Sequence, residues 1–553
     1  MRIGTLLAAA LTTAPISAFA CGGLFCNNTT PIVQQAENIV FAVDGDTTHM
    51  HVRISYAGPP QDFGWLLPVP RGVTTEVSTE RLFQALGNFT PQFYMDTEER
   101  LVECMEPQYP EYGEGDFAGA AGADAGVSGG DNGVTVLSRE PVGPYDRAIL
   151  EAASVEDLRA WLNENSFQIP ESVDARLRPY VDAGAVFVAI KLLADQSAGD
   201  MVPLHLSFPG NSPTVPIVPT AVAAAPDLGI VVQVLGADRA IPVNYRHVQI
   251  NEAAVDWPSG GGNYFAVVAQ ASDEAGGHAF TTDYAGPHSL TAQALPQVGA
   301  DALDALRGVH TVGDLGGVTC NLDISDPDMA RILRSVLSPP DFSGNGPFTD
   351  VGCAGTVSNP ADEAVDGAAL AARVEAEINA PRLSAGVQLD HLPYVTRLFT
   401  TMSADEMDED PSFGFNADLP AVDNVHHAKR IIYQCDANGY YDYSNYRVQT
   451  AGGLIIDVHD NVAPNAIQRA DGETTSNGAE PGAAVIEQYL TAGPGNPVTD
   501  NTPEIAGRNN GRVTAAGSDS GCGCNTSGGA ANGAAGVVFL LFGFAATRRR
   551  RQG

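Results

Sequence analysis

Lysine is almost missing from this chain: of 553 residues only Lys191 and Lys429 carry it, and Lys and Arg together number 29 against 66 Asp and Glu. Five of those cations, Arg2 and Arg548 to Arg551, sit in the two terminal segments, which leaves 24 against the same 66 and a net charge of −42 on the body. A surface of that sign repels phosphate backbones, so no nucleic-acid partner is expected. No H-E-x-x-H pair occurs, and no Gly-rich loop ends in Lys-Ser or Lys-Thr, so two common routes to metal and nucleotide chemistry are closed. No repeat of fixed period stands out either.

What is present is clearest at the ends. MRIGTLLAAALTTAPISAFA places Arg2 before an apolar run and finishes in Ala18-Phe19-Ala20, the small-x-small pattern of a secretory signal peptide over 1–20. Signal peptidase is thus the first expected partner, and cleavage after Ala20 leaves Cys21 first. At the far end, Ala530 to Ala546 is apolar apart from Asn532 and runs into Arg548, Arg549, Arg550 and Arg551. From Gly528 to Ala546 a helix rising about 1.5 Å per residue reaches roughly 28 Å, just enough to span a hydrocarbon core. The arginines favour the cytoplasmic side. An exported protein of the cell envelope or surface, initially held in the inner membrane by a C-terminal helix, is the expectation.

Cysteine is sparse, with six residues outside the tail: Cys21, Cys26, Cys104, Cys320, Cys353 and Cys435. An even number in an exported chain is expected to pair. Cys21 with Cys26 and Cys320 with Cys353 are the pairs expected here, a disulfide being preferred to a metal at the C-x₄-C spacing because the compartment is oxidising.

Along the body, Ile39 to Tyr56 reads as a hairpin turning at Asp44-Gly45-Asp46, with Met50, Val52, Ile54 and Tyr56 toward the core and His49, His51, Arg53 and Ser55 toward solvent. DFGWLLPVP (Asp62 to Pro70) continues as a strand, and a short helix from Thr79 to Leu86 stops at Gly87. Pro107 to Gly133 is a Gly-, Ala- and Asp-rich insertion. Ser154 with Asp157 caps a helix through Trp161, and a second helix covers Val173 to Val181. Strands are expected at Val186 to Leu193, Leu204 to Phe208, Ile230 to Leu235, Val243 to Ile250 and Tyr264 to Ala269. Helices follow at Ala302 to Leu306, Asp328 to Val336 and Glu363 to Ile378. The polar stretch 467–520 reads as a stalk, with a brief helical pattern at Ala484 to Leu490. The fold class is therefore α+β: antiparallel-rich sheets with short helices, plus the insertion, the stalk and a C-terminal transmembrane helix.

The last thirty residues, with the pair Cys522 and Cys524, the short hydrophobic helix and the Arg run, resemble the MYXO-CTERM sorting signal of myxobacteria and relatives. That resemblance implies a myxosortase-like sorting protease cutting near Cys522 or Cys524. CGGLFC, ISYAG, DFGWLLPVP, VGPYDRAILEA, DLRAWL and YVDAGAVFVAIKL together resemble a bacterial family, domain of unknown function 2330, over roughly Cys21 to Ala271; YVTRLFTTMSADEMDEDPSFGF is similar to segments of such proteins. The resemblance implies no reaction, substrate or catalytic residue. The expected organisation is a signal peptide (1–20), a DUF2330-like α+β domain (21–300, with its insertion at 107–133), a more helical continuation (301–466), the stalk (467–520) and a sorting tail (521–553) with its helix at 530–546.

Residues that could carry chemistry are few. Gly126-Val127-Ser128-Gly129-Gly130 spells a nucleophile elbow, but it lies in the insertion with no apolar strand before it, where the elbow needs a strand and a helix to strain the turn. His49 and His51 share one strand face, a chelating spacing that here points away from the apolar side. Asp436, Asn438 and Asp442 around Gly439 are partly spaced like a calcium loop but lack its distal Glu, so an Asn-Gly turn is preferred with calcium as the alternative, and no other cofactor is expected. No catalytic residue is assigned. A non-catalytic binding or structural component of the envelope is the expected function, with an extracellular hydrolase of scattered catalytic groups as the alternative.

Overall fold

Strand alternation decides the architecture. The computed structural model describes residues 34–54, 63–106, 134–167, 173–193, 201–222, 224–340, 348–463, 466–470, 473–475 and 480–499. The signal segment, Cys21, Cys26, Ser55, Tyr56, the insertion with Ser128, and the tail with Cys522, Cys524 and Arg548 to Arg551 lie outside them.

A ten-stranded mixed sheet forms the centre. Its order is Asn496–Thr499, Ala483–Gln488, Arg246–Ile250, Ala279–Pro287, Tyr394–Met402, Ala224–Gly236, Gln34–Asp44, Thr47–Ile54, Leu204–Pro209 and Thr74–Val77. Gln34–Asp44 runs parallel to Ala224–Gly236, and Arg246–Ile250 to Ala279–Pro287; the other neighbours are antiparallel. An antiparallel four-stranded sheet, Gly64–Val69, Val186–Leu192, Tyr145–Ala152 and Val134–Val142, stacks on one face. Trp65, Leu67, Val69, Val186, Val188 and Ile190 meet Ile39, Phe41, Met50 and Val52 between the two sheets. The alternate residues Leu66, Phe187 and Ala189 face the other way, under the helices Val155–Glu164 and Asp174–Asp182 with Trp161 and Leu177. Period-2 alternation with both faces buried reads as a continuous apolar run, which is why GWLLPV and VFVAI look uniformly hydrophobic. Each fully buried side chain of this kind contributes roughly 1.5–3 kcal/mol.

The opposite face of the large sheet is also covered. Val40 and Ala42 pack on Leu82, Phe83 and Leu86 of the helix Glu80–Leu86 and on Ala385 and Leu389 of the helix Ala380–His391. Met50 and Val52 are buried as the alternation requires, but His51 is buried as well and His49 is half-buried. The expectation that these histidines face solvent fails because Thr47–Ile54 is an interior strand with helices on its second face. The Ser154 cap forms, its hydroxyl accepting the Asp157 N–H, and Thr79 caps its helix by accepting from Arg81.

Three further segments differ from their sequence patterns. Tyr264 to Ala269 is not a strand but the start of a helix, Tyr264–Glu274, whose Ala266, Val267, Ala269 and Ala271 are all buried; a short apolar run enclosed on most sides has no period to separate helix from strand. The helical continuation ends at His391, after which Tyr394–Met402 returns to the central sheet. Ala484 to Leu490 belongs to no helix, and the beginning of the expected stalk joins the fold: Ala483–Gln488 pairs antiparallel with Arg246–Ile250. Within the helical part, Gly367–Val374 passes through a π-turn at Glu375–Asn379 into Ala380–His391. Pro381 lacks an N–H to continue the α ladder, and the wider turn absorbs that loss.

A third sheet, Ile455–Val458, Tyr446–Thr450, Val425–Ile432 and Gln92–Arg100, shares a core with Trp257 and Val267. Cys320 and Cys353 stand at disulfide distance, as do Cys104 and Cys435, which are 331 residues apart in sequence. Among the described residues no helix is long and apolar enough to cross a membrane. Because Cys104–Cys435 closes so long a loop, replacing both cysteines by serine should destabilise the protein by about 2–4 kcal/mol. Urea unfolding of the non-reduced variant checks this; an unchanged midpoint would contradict it.

Candidate functional site

A cavity of about 530 Å³ opens where the end of the central sheet meets the third sheet. Its walls combine apolar groups, Phe93, Tyr264, Leu419 and Val422, with a convergent polar set, Arg239, His247, Thr282, Asp283, Glu252 and Glu487. Ligand sites are commonly built this way.

Three neighbouring strands bring the central polar groups together. His247 and Glu487 face each other across the pairing of Arg246–Ile250 with Ala483–Gln488, and Ala279–Pro287 carries Thr282 alongside. Thr282 Oγ1 lies 3.0 Å from His247 Nε2, and Arg239 Nη2 donates to the same oxygen at 3.3 Å. The hydroxyl accepts from the guanidinium through one lone pair and has its own proton free to donate to Nε2, an arrangement that goes with hydrogen on Nδ1. Nδ1 faces Glu487 Oε1 at 3.5 Å, too long for a good hydrogen bond; Gln249 Nε2 donates to that oxygen at 3.1 Å. Burial, and then Arg239, hold the His247 pKa below its ordinary value although Glu487 pulls it up. The facing imidazole, outweighing burial, holds the Glu487 carboxyl below the usual range. A neutral imidazole therefore stands between a hydroxyl and a carboxylate.

The surroundings fix this set. The Tyr489 ring stacks on His247 at 4.3 Å, Arg239 lies over the same ring, and Arg239 Nη1 donates to the Pro420 carbonyl at 2.7 Å. Gly495 lets its loop close on Tyr489, because a β-carbon there would come within 2.5 Å of the ring. On the neighbouring wall the buried Asp283 pairs with Arg397 at 3.0 Å and accepts from the Tyr264 hydroxyl at 2.6 Å, while burial pushes its carboxyl up. His426 stacks on Phe93 and faces Glu252 at 3.3 Å.

The family model described as "Uncharacterized protein conserved in bacteria (DUF2330)" matches residues 15–312, more than half of the chain. The protein belongs to the DUF2330 family. Arg239, His247 and Thr282 lie inside the DUF2330 match, whereas Glu487 and Tyr489 lie beyond it. Neither the curated proteins nor the solved structures yield a match.

The sequence-derived candidates lie elsewhere in this DUF2330 protein. Asp436 Oδ1 accepts the N–H groups of Asn438 and Tyr440, and Asp442 accepts from Ser444, Asn445 and Gln434. Burial opposes the Asp442 charge, but these donors hold its carboxyl well below the usual range. Each carboxylate accepts within its own turn, and among the described residues no group of three or more His, Cys, Asp and Glu is placed to hold a metal. His49 and His51 join His205 in a stack: His49 Nδ1 lies 3.0 Å from His205 Nε2, and the His51 and His205 rings are 4.4 Å apart. His51 is saturated by Ser78 Oγ at 2.7 Å and Gln388 Oε1 at 2.8 Å.

Burial and then His205 lower the pKa of both His49 and His51. The unfolded chain therefore binds more protons below the ordinary value of 6.5, and the stability present above that pH is lost as pH falls through it. Glu76 and Asp44 oppose the shift at His49, and Asp273, whose pKa burial and Glu406 raise to about 6, acts in the opposite sense on the whole protein. A comparison isolates the effect: between about pH 7.5 and about pH 5.5, His51→Gln should lose less melting temperature than the wild type. Equal slopes in calorimetry would remove His51 from the linkage.

Proposed function

We propose that this DUF2330 protein is an exported binding component of the bacterial cell envelope, taking a small ligand in the cavity bounded by Arg239, His247 and Glu487. The observation that carries the reading is that cavity: about 530 Å³, apolar on several walls, with buried cationic and anionic groups that can orient a guest. The sequence supports the location. Signal peptidase acts after Ala20, and Arg548 to Arg551 hold the helix at 530–546 in the inner membrane, each adding up to about 1 kcal/mol at an anionic cytoplasmic face. A myxosortase-like protease then cuts near Cys522 or Cys524 and passes the body to the surface, as the likeness of the tail to MYXO-CTERM signals implies.

Deleting the tail from Gly521 onward should release the body into the medium, and replacing Cys522 and Cys524 with alanine should leave an unprocessed protein in the inner membrane. Fractionation with intact-mass measurement reads both outcomes; normal surface delivery of the double alanine variant would end the sorting proposal. For the cavity, the anionic aromatic probe 8-anilinonaphthalene-1-sulfonate should bind the released protein at one saturable site. Val422→Trp, which fills the space, should weaken it at least tenfold, and an unaltered titration would mean that the cavity is not the site.

A further inference from the structure

We propose that Thr282, His247 and Glu487 form a hydrolytic triad, and that the cavity above them takes a carboxylic ester with an apolar acyl group. The inference rests on the reading of this cavity as the ligand site and adds turnover to it.

The order of groups is the one that activates a hydroxyl: nucleophile against the imidazole at 3.0 Å, and a carboxylate on the far ring nitrogen. The 3.5 Å separation on the carboxylate side is of the kind that tightens when substrate closes a site. A separate feature points to the same place. The strand carrying Thr282 breaks register between Thr282 and Tyr284, and the strand carrying Glu487 breaks register between Ile486 and Glu487. Bulges interrupt a ladder where a side chain must be re-aimed, and they gather beside active sites. Arg239 is the cation nearest the reacting oxygen, its Nη2 3.3 Å from Oγ1, placed to stabilise negative charge on an adjacent carbonyl oxygen.

The substrate class follows from the walls. Phe93, Tyr264, Leu419 and Val422 offer an acyl chain apolar contact, while Glu252, Asp283 and Glu487 make the cavity unwelcoming to phosphoesters. Thr282 Oγ1 bonds to the ester carbonyl carbon as its proton passes to His247 Nε2. The tetrahedral oxyanion, facing Arg239, collapses; the bond to the alkoxy oxygen breaks, and His247 returns the proton to the departing alcohol. Water, deprotonated by His247, then attacks the acyl-threonine, releasing the carboxylic acid and restoring the hydroxyl. Glu487 touches no reacting atom and is a positioning residue: it faces Nδ1 at 3.5 Å and favours hydrogen on that nitrogen, the contact closing to a hydrogen bond when substrate seats.

The test uses the full chain in dodecyl maltoside with p-nitrophenyl butyrate. Thr282→Val, which keeps the volume, and His247→Gln should each lower kcat/KM by roughly 10³-fold, while Thr282→Ser should stay within about tenfold of the wild type. Glu487→Gln should lower the rate and also move the acidic limb of the pH profile to lower pH, because it removes the carboxylate that raises the His247 pKa against burial and Arg239. A fluorophosphonate should label the wild type at Thr282 by peptide mass spectrometry, a readout independent of whether any variant folds. Turnover by Thr282→Val at the wild-type rate, or label on another residue alone, overturns the triad. Saturable binding of the ester without turnover overturns the triad and leaves the binding reading standing; absence of both removes both.

Discussion

The parallel pairing of Gln34–Asp44 with Ala224–Gly236 sets the frame on which the other layers depend. These strands lie about mid-sheet, and their alternate residues serve two cores at once: Ile39 and Phe41, with Ile230, Val232 and Val234, face the four-stranded sheet, whereas Val40, Ala42 and Leu235 face the helices. A shift of one residue in either strand would exchange the two sets, so register is held from both sides. The flanking strands inherit it, including Thr47–Ile54, which brings His51 to Gln388, and Tyr394–Met402, which leads toward the cavity end of the sheet.

Much of the fold was legible wherever local chemistry speaks alone. The Asp44-Gly45-Asp46 turn, the Ser154 cap and the strand GWLLPV need only a few adjacent residues, and they form near where the sequence puts them. What could not be read is what covers a strand. HMHVRI alternates strictly, yet His51 on its polar face is enclosed by helices that arrive about thirty and more than three hundred residues later, while Arg53 stays exposed. The site was illegible for the same reason. Arg239, His247, Thr282 and Glu487 form no motif, and Glu487 with Tyr489 sits in a segment whose polar composition reads as a stalk. Only the pairing of Ala483–Gln488 with Arg246–Ile250 gives it a place. The Cys104–Cys435 bond has the same character: its spacing in sequence carries no signal.

Scarce positive charge explains where the arginines go. Arg382 is buried and bridges Asp326 and Asp328 at 2.5 and 2.8 Å; Arg331 is buried against Glu377, and Arg397 against Asp283. Buried pairs of this kind contribute little net stability against a well-packed apolar core, but removing one partner leaves an unpaired charge and is strongly destabilising. Because these three arginines take four carboxylates inside with them, the acidic excess of a chain with 29 cations against 66 anions stays almost entirely at the surface. Such a surface keeps the molecule soluble and repels polyanions.

That commitment bears on the cavity. Arg239 differs from the other buried arginines because its nearest oxygens are neutral: the Pro420 carbonyl, the Thr282 hydroxyl and the Tyr489 hydroxyl. Among the described residues no carboxylate pairs with it, and Glu487 is separated from it by the Thr282 and His247 chain. A guanidinium whose terminal nitrogens meet only neutral oxygens, and whose buried Nε has no partner among the described residues, keeps its electrostatic reach for an incoming group, and burial reduces the solvent screening that would blunt it. The short strands Ala483–Gln488 and Asn496–Thr499 close this end of the sheet at its edge, the first packed by Ala483 and Ile486 against Ala271 of the helix Tyr264–Glu274. Lower local stability is the physical condition for a site that must admit a guest, whereas the doubly covered centre of the sheet is where such opening costs most.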